Sequence, residues 1–283
     1  MQRLGLKAVL ALVGTGMASC IAATVAMADG KLEARYSVSL GGLELGRAAY
    51  LVEVGDASYT ASGSGRLTGV VQAVSSGKGT VGARGVIERG ALAPRSFAME
   101  AETDKKAEAV RLVINAAATV TDIKVEPPVP PAPDRVPIAD KDKKGVFDPI
   151  SATLIMVPGT DSPVSAKACD RVLAIFDGRA RYDLELSYER IEQVKADKGY
   201  AGPAVVCRIA YKPISGHRPS RSGVKYMMNN KEMFIWLAPI AGTRVLAPFK
   251  ATVATAIGVA ELEAVSFITE PTNGRKVTPA KAP

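Results

Sequence analysis

The chain has a single histidine, His217, inside the basic stretch 217–230 (HRPSRSGVKYMMNN). A hydrolytic triad would have to use this imidazole, but no G-x-S-x-G nucleophile elbow accompanies it. A metal centre needs several His, Cys or carboxylate ligands together. Cys169 and Cys207 are better used as a disulfide in an exported chain. No metal and no cofactor is therefore expected, and His217 reads as a surface residue beside Arg218. Asp183 and Glu185 are the one carboxylate pair with a spacing suited to glycoside chemistry, two apart on a strand and roughly 7 Å between Cβ atoms. Arg179 and Arg181 share their face, so alternating charge on a solvated sheet face accounts for them without catalysis. Gly77, Gly79 and Gly82 satisfy G-x-G-x-x-G, yet the following residues (ARGVIERG) do not open a helix as a phosphate cradle must.

Other side chains could recognise a partner. His217, Arg218, Arg221 and Lys225 could meet lipid or glycan phosphates. Aromatic interleaving there is limited to Tyr226, which argues against nucleic acid. Trp236, the only tryptophan, alternates with Phe234 on an apolar stretch and reads first as core. The candidate ligand or partner surface is thus Arg179, Arg181, His217, Arg218 and Trp236, with no catalytic residue among them.

The elements that must position these residues are strands. Leu32, Ala34, Tyr36, Val38 and Leu40 alternate with polar residues, the pattern of a half-buried strand. Gly41-Gly42 turns into a second strand over 43–54. Between 63 and 90 glycine recurs among valines, which suits short, bent strands better than helices. Strands follow over 95–102 and 108–116. The stretch 126–137 (EPPVPPAPDRVP) is proline-dense and reads as an exposed crossover loop. Asp148-Pro149 is the best helix start, with Asp148 as cap and Pro149 at the first position. Pro158-Gly159 stops that helix after two or three turns, and its apolar face should plug the sheet. Asp177-Gly178 suits a two-residue hairpin loop between Arg171–Phe176 and 179–188. A third strand over 204–214, a polar loop over 217–230 and strands over 232–237, 244–255 and 259–268 complete the reading.

The N-terminus carries Arg3 and Lys7, an apolar run and Ala26-Met27-Ala28, the small-x-small pattern for signal-peptide cleavage. The expectation is export to the periplasm with residues 1–28 removed; the alternative is a lipoprotein acylated at Cys20. The formal net charge of +8 falls to +6 when Arg3 and Lys7 leave. Residues 29–270 are expected to form one β-rich domain, with 271–283 disordered. The disulfide meets a geometric obstacle. The two-residue loop puts Cys169 opposite Leu186, and a third strand in register puts Cys207 opposite it too. That separates the cysteines by two strand spacings, roughly 9–10 Å, beyond the Cα separation of about 7 Å a disulfide tolerates. Cys169 must lie beyond its strand and curl back, or the third strand must be displaced.

Several motifs together resemble a known family. They are FDPISA at 147–152, FDGRARYDL at 176–184, Cys207 with YKPISG at 211–216, FIWLAP at 234–239, and Tyr36 with GLELG at 42–46. The chain resembles the bacterial domain-of-unknown-function 3108 family, whose members are exported to the periplasm. The resemblance implies a curved antiparallel sheet wrapped into an open barrel around a helix, similar to envelope proteins that shield hydrophobic partners. It supplies no catalytic residues, and the proline-rich insert and basic tail depart from the pattern.

The expected protein is all-β: a strongly curved antiparallel sheet forming an open barrel or spiral, plugged by one short helix. Its expected role is non-catalytic support of the cell envelope. It would bind an envelope protein or a lipid or glycan component, peripheral to the membrane at most. A carrier of a hydrophobic ligand in the barrel interior and a cell-wall glycan hydrolase are the alternatives.

Overall fold

The computed structural model describes residues 29–69 and 76–272. The expected signal peptide, Cys20 and the tail beyond residue 272 lie outside the described residues. Seven strands come first: β1 (Asp29–Leu40), β2 (Leu43–Val54), β3 (Ser58–Leu67), β4 (Gly77–Glu88), β5 (Ala91–Thr103), β6 (Ala107–Ile114) and β7 (Val120–Glu126). They pair in chain order as an antiparallel meander. Then follow β8 (Ile155–Met156), β9 (Arg171–Phe176), β10 (Arg181–Lys195), β11 (Lys198–Gly199), β12 (Ala201–Ser215), the helix α1 (Ser222–Asn229), β13 (Met233–Pro239), β14 (Val245–Thr255) and β15 (Gly258–Thr272). β15 lies against β1, so both halves join in one sheet that runs from β7 to β9.

The alternation of β1 is realised directly. Leu32, Ala34 and Tyr36 are buried, while Arg35 and Ser37 face the other way. They join Tyr50, Val52, Val54, Tyr59, Phe249 and Phe267 in the largest core cluster. A second cluster surrounds the cysteines, and a third collects Phe97, Val110, Leu112, Ile114 and Val120 with Val146 and Phe176.

That third cluster shows how the sheet ends meet. Phe176 on β9 packs with side chains of β5, β6 and β7, although among the described residues no strand ladder joins β7 to β9. Residues 144–147 occupy the seam. Lys144 bridges Thr119 beside β7, and Phe147 bridges Ile175 on β9. The sheet is a barrel left open in its hydrogen bonding and filled along the gap by irregular chain.

Five local expectations are corrected. The segment after Asp148 is a single 3-10 turn, Ser151–Thr153, rather than a helix of two or three turns. Asp148 still caps it: Oδ1 accepts from the Ile150 and Ser151 amides at 3.0 and 2.8 Å. Past the turn the chain becomes extended, because Ile155 and Met156 pair with Leu246 and Val245 on β14. A short helix rich in β-branched residues cannot compete with that pairing. The plugging role survives in the turn, whose Ser151 and Thr153 hydroxyls meet the phenols of Tyr59 and Tyr50 at 2.8 Å.

The one α-helix among the described residues instead lies in the stretch expected to be a polar loop, and it buries no residue. The described part of the glycine-rich stretch forms the end of β3 and one long strand, β4, rather than several short ones. The G-x-G-x-x-G match sits within β4. The β9–β10 loop has four residues, 177–180, rather than two. Asp177 Oδ1 accepts from the Arg179 and Ala180 amides at 2.8 and 2.6 Å, an Asx-type turn that closes it. β15 also runs to Thr272, two residues past the expected end of the domain.

The longer loop resolves the disulfide geometry. Leu186 pairs with Arg171, the first residue of β9, and Cys207 pairs with Tyr188. Cys169 precedes β9, at the end of a 3-10 turn over Ala166–Ala168. It curls back to Cys207 with a Cα separation of 5.4 Å. The expected bend exists, and both cysteines are fully buried.

Candidate functional site

The concave face of β1–β5 is built in transverse rows. One row runs Tyr50–Gly63–Val81–Met99 and the next Ala48–Gly65–Gly79–Ala101. At the strand ends, Gly46 pairs with Leu67 and Gly77 with Thr103. Side chains on such a row normally fill the space above it, since alternate residues of a strand point to one face. The middle row has nothing larger than a methyl group. The result is a trough of about 690 Å³, floored by these small residues and walled by Tyr36, Val38, Leu45, Tyr50, Leu67, Met99 and Leu262. Ile150 and Thr153 from the plugging turn close its inner end. Leu45, Leu67, Val81 and Met99 are only partly buried, so the apolar lining remains open to solvent at the strand ends.

Polar chemistry inside this face is confined to hydroxyls and one carboxyl. Tyr36 donates to the Pro248 carbonyl at 2.6 Å. Burial pushes the phenols of Tyr36, Tyr50 and Tyr59 far above their ordinary range, so they stay neutral donors. Asp148 is fully buried, and burial pushes its carboxyl up to about 6. On the opposite face of the same strands a broader groove of about 1310 Å³ is lined by charges of both signs, with Arg35, Arg47, Arg66 and Lys78 set among Glu44, Glu100, Glu102, Glu108, Glu126 and Asp197.

The residues singled out from sequence lie elsewhere. Arg179 donates to the carbonyls of Glu126 and Pro127 at 3.2 and 3.4 Å, tying the β9–β10 turn to the end of β7. Arg181 and Asp183 form an ion pair at 2.7 Å and are 13% and 21% exposed, so this face is covered rather than solvated. Glu185 pairs with Lys212, and each carboxylate of the suggested pair therefore has its own cation. Arg218 donates to Asp134 at 2.7 Å. Hydrogen bonds from Ser220 and then Arg218 hold the Asp134 carboxyl down to about 2. His217 is half-buried, and its carbonyl accepts from the Val136 amide. Arg179, Arg181, His217 and Arg218 share one corner, where Gly216 packs on the Arg179 carbonyl and Arg181 pairs with Ser215. Trp236 is apart from them, 7% exposed in the main core, with Arg190 and Lys250 at 5.6 and 5.7 Å from its ring.

A ligand in the barrel interior was an alternative from sequence, but the residues that form the trough were not singled out. The trough's signal was present as Gly63 and Gly65, then Gly77 and Gly79, each two apart and so on one face of a strand. Among the described residues, no group of three or more His, Cys, Asp or Glu is gathered as metal ligands.

A family model described as "Protein of unknown function (DUF3108)" matches residues 35–265. The chain belongs to the DUF3108 family. The match takes in β2–β14 and about half of each of β1 and β15, so the trough of this DUF3108 member is part of the shared region. No curated protein matches. Among solved structures, a β-barrel-like protein of the domain of unknown function DUF1849 from Brucella abortus is similar at 12% identity. It covers 88% of this chain and 100% of its own, with a TM-score of 0.48.

Proposed function

We propose that this protein is a non-catalytic binding protein that houses the apolar portion of an amphiphile in the β1–β5 trough, as a lipid-binding component of the cell envelope. The trough carries the reading. Its volume falls in the range of about 300–1,000 Å³ typical of small-molecule sites, and its lining is almost wholly apolar. Burying an acyl chain there would gain about 0.8 kcal/mol per methylene removed from water. The buried disulfide is consistent with an exported protein, and the N-terminal sequence supports the same location.

A blocking substitution tests it. An ideal Cβ at Gly65 would meet only the Arg47 carbonyl at 3.8 Å and the Ala48 methyl at 4.0 Å, ordinary contacts. Gly65→Leu therefore fills the trough without forcing the backbone. The neutral fluorophore N-phenyl-1-naphthylamine should bind the wild type saturably, and Gly65→Leu should reduce that binding by about tenfold or more. Equal binding by both proteins, or none by the wild type, would defeat the proposal.

A further inference from the structure

The face opposite the trough carries an arrangement that the sheet itself does not need. Arg47 on β2 lies directly across from Arg66 on β3, and Arg66 lies directly across from Lys78 on β4. Like charges opposite one another destabilise a sheet, and at about 4.8 Å per strand the three positions span roughly 10 Å. The flanking cations are compensated: Arg47 by Glu44 at 2.9 Å and Lys78 by Glu102 at 3.1 Å. Glu100, on the same face, is engaged by Arg111 at 2.7 Å. Arg66, in the centre, forms no ion pair among the described residues, and all three cations are exposed.

The position of the row matters as much as its charge. Gly46, Leu67 and Gly77 are the chain neighbours of Arg47, Arg66 and Lys78. They form the outermost part of the trough floor, where the strands end. The cations therefore stand on the outer side of the rim, one residue from the mouth. A chain lying on Ala48, Gly65 and Gly79 and leaving over Leu67 brings its head within reach of the Arg66 side chain. Guanidinium groups suit phosphate oxygens, which they bind by two parallel hydrogen bonds.

We propose that the ligand is an acyl lipid with a phosphate head, its chain in the trough and its head on the Arg47–Arg66–Lys78 row. This inference rests on the reading that the trough takes an acyl chain, and it adds the head-group class.

The test compares two amphiphiles of one chain length, dodecyl phosphate and dodecyl maltoside, by titration calorimetry below their micellar concentrations at low ionic strength. The wild type should bind dodecyl phosphate about tenfold more tightly, a preference that fades with added salt. Arg66→Gln should remove the preference and leave maltoside binding unchanged, since the side chain is exposed and unpaired. Equal affinity of the wild type for the two, or an undiminished preference in Arg66→Gln, would overturn the head-group assignment while leaving the trough reading intact. Inorganic phosphate binding as tightly as dodecyl phosphate would also overturn it, by separating the anion site from the trough. If the wild type binds neither amphiphile, the trough reading fails and takes this inference with it.

Discussion

Asp148 shows a single residue serving two conflicting demands. Its Oδ1 supplies the cap that starts the 3-10 turn, which favours a carboxylate. Its Oδ2 is buried without a hydrogen-bond partner, which penalises one. Burial wins, and the carboxyl is raised from its ordinary value of about 3.9 to about 6. The folded state therefore keeps a proton that the unfolded chain releases near pH 4. Stability should fall as pH rises from about 4 to about 6 and be flat above that, with a total contribution of about 3 kcal/mol. Asn retains the capping oxygen and cannot ionise. Asp148→Asn should match the wild type near pH 4, exceed it at pH 7.5, and lose this slope when thermal unfolding is followed across the range. A variant less stable than the wild type at pH 7.5 would show that the carboxylate is compensated.

At the scale of elements, the clearest pattern belonged to strands with one buried and one wet face. The β1 alternation was legible for that reason, and so was the pairing of β9 with β10. β10 stopped being legible past Tyr188, itself 47% exposed, because a bulge against β12 between Tyr188 and Arg190 reverses the alternation of the residues that follow. β7 does alternate Ile123 and Val125 with Asp122, Lys124 and Glu126, but only Val120 of its seven residues is buried, so the pattern marks no core face. The trough was hidden for a different reason: glycine and alanine contribute little to a hydrophobic pattern, so an absence of side chains leaves no periodic signal. The covalent clamp was legible as a pair and in its required bend, but not in its register, because an Asx turn added two residues to the loop. That clamp holds β12 to the segment before β9, across a sequence separation of 38. By chain entropy, closing such a loop contributes about 4 kcal/mol. The Cys169→Ser/Cys207→Ser double variant should lose about that much in urea unfolding. It should also show faster amide exchange in β9 and the 3-10 turn before it, while β1 and β2 remain protected. Unchanged stability would mean that the core around the cysteines holds this corner unaided.

For the whole molecule, the question is what keeps an unclosed barrel curled. Among the described residues no ladder joins the β7 and β9 ends, so closure depends on Phe176 in the third core cluster, the chain at 144–147, and the β9–β10 turn. The turn makes the tightest contact. Gly178 adopts φ +88, and a Cβ there would lie 2.7 Å from Val110 Cγ1 on β6. Only glycine meets both constraints without strain. Beside it, Arg179 joins the sheet ends through the Glu126 and Pro127 carbonyls and approaches Glu108 at 3.9 Å. A residue that resembled a ligand contact in sequence thus becomes a fastener in the fold. Arg179→Ala should cost about 1–2 kcal/mol, at or below the low end of the range of about 1.5–3 kcal/mol for hydrogen bonds to a charged group, because these bonds are open to solvent. Gly178→Ala should have a similar or larger effect, through backbone strain and the Val110 contact. In hydrogen exchange, both variants should open β7 and β9 first. The trough is built on β1–β5, so N-phenyl-1-naphthylamine should still bind either folded variant as it binds the wild type. Loss of probe binding together with faster exchange confined to β7 and β9 would instead mean that the seam controls the trough's shape, and that the barrel acts as one mechanical unit.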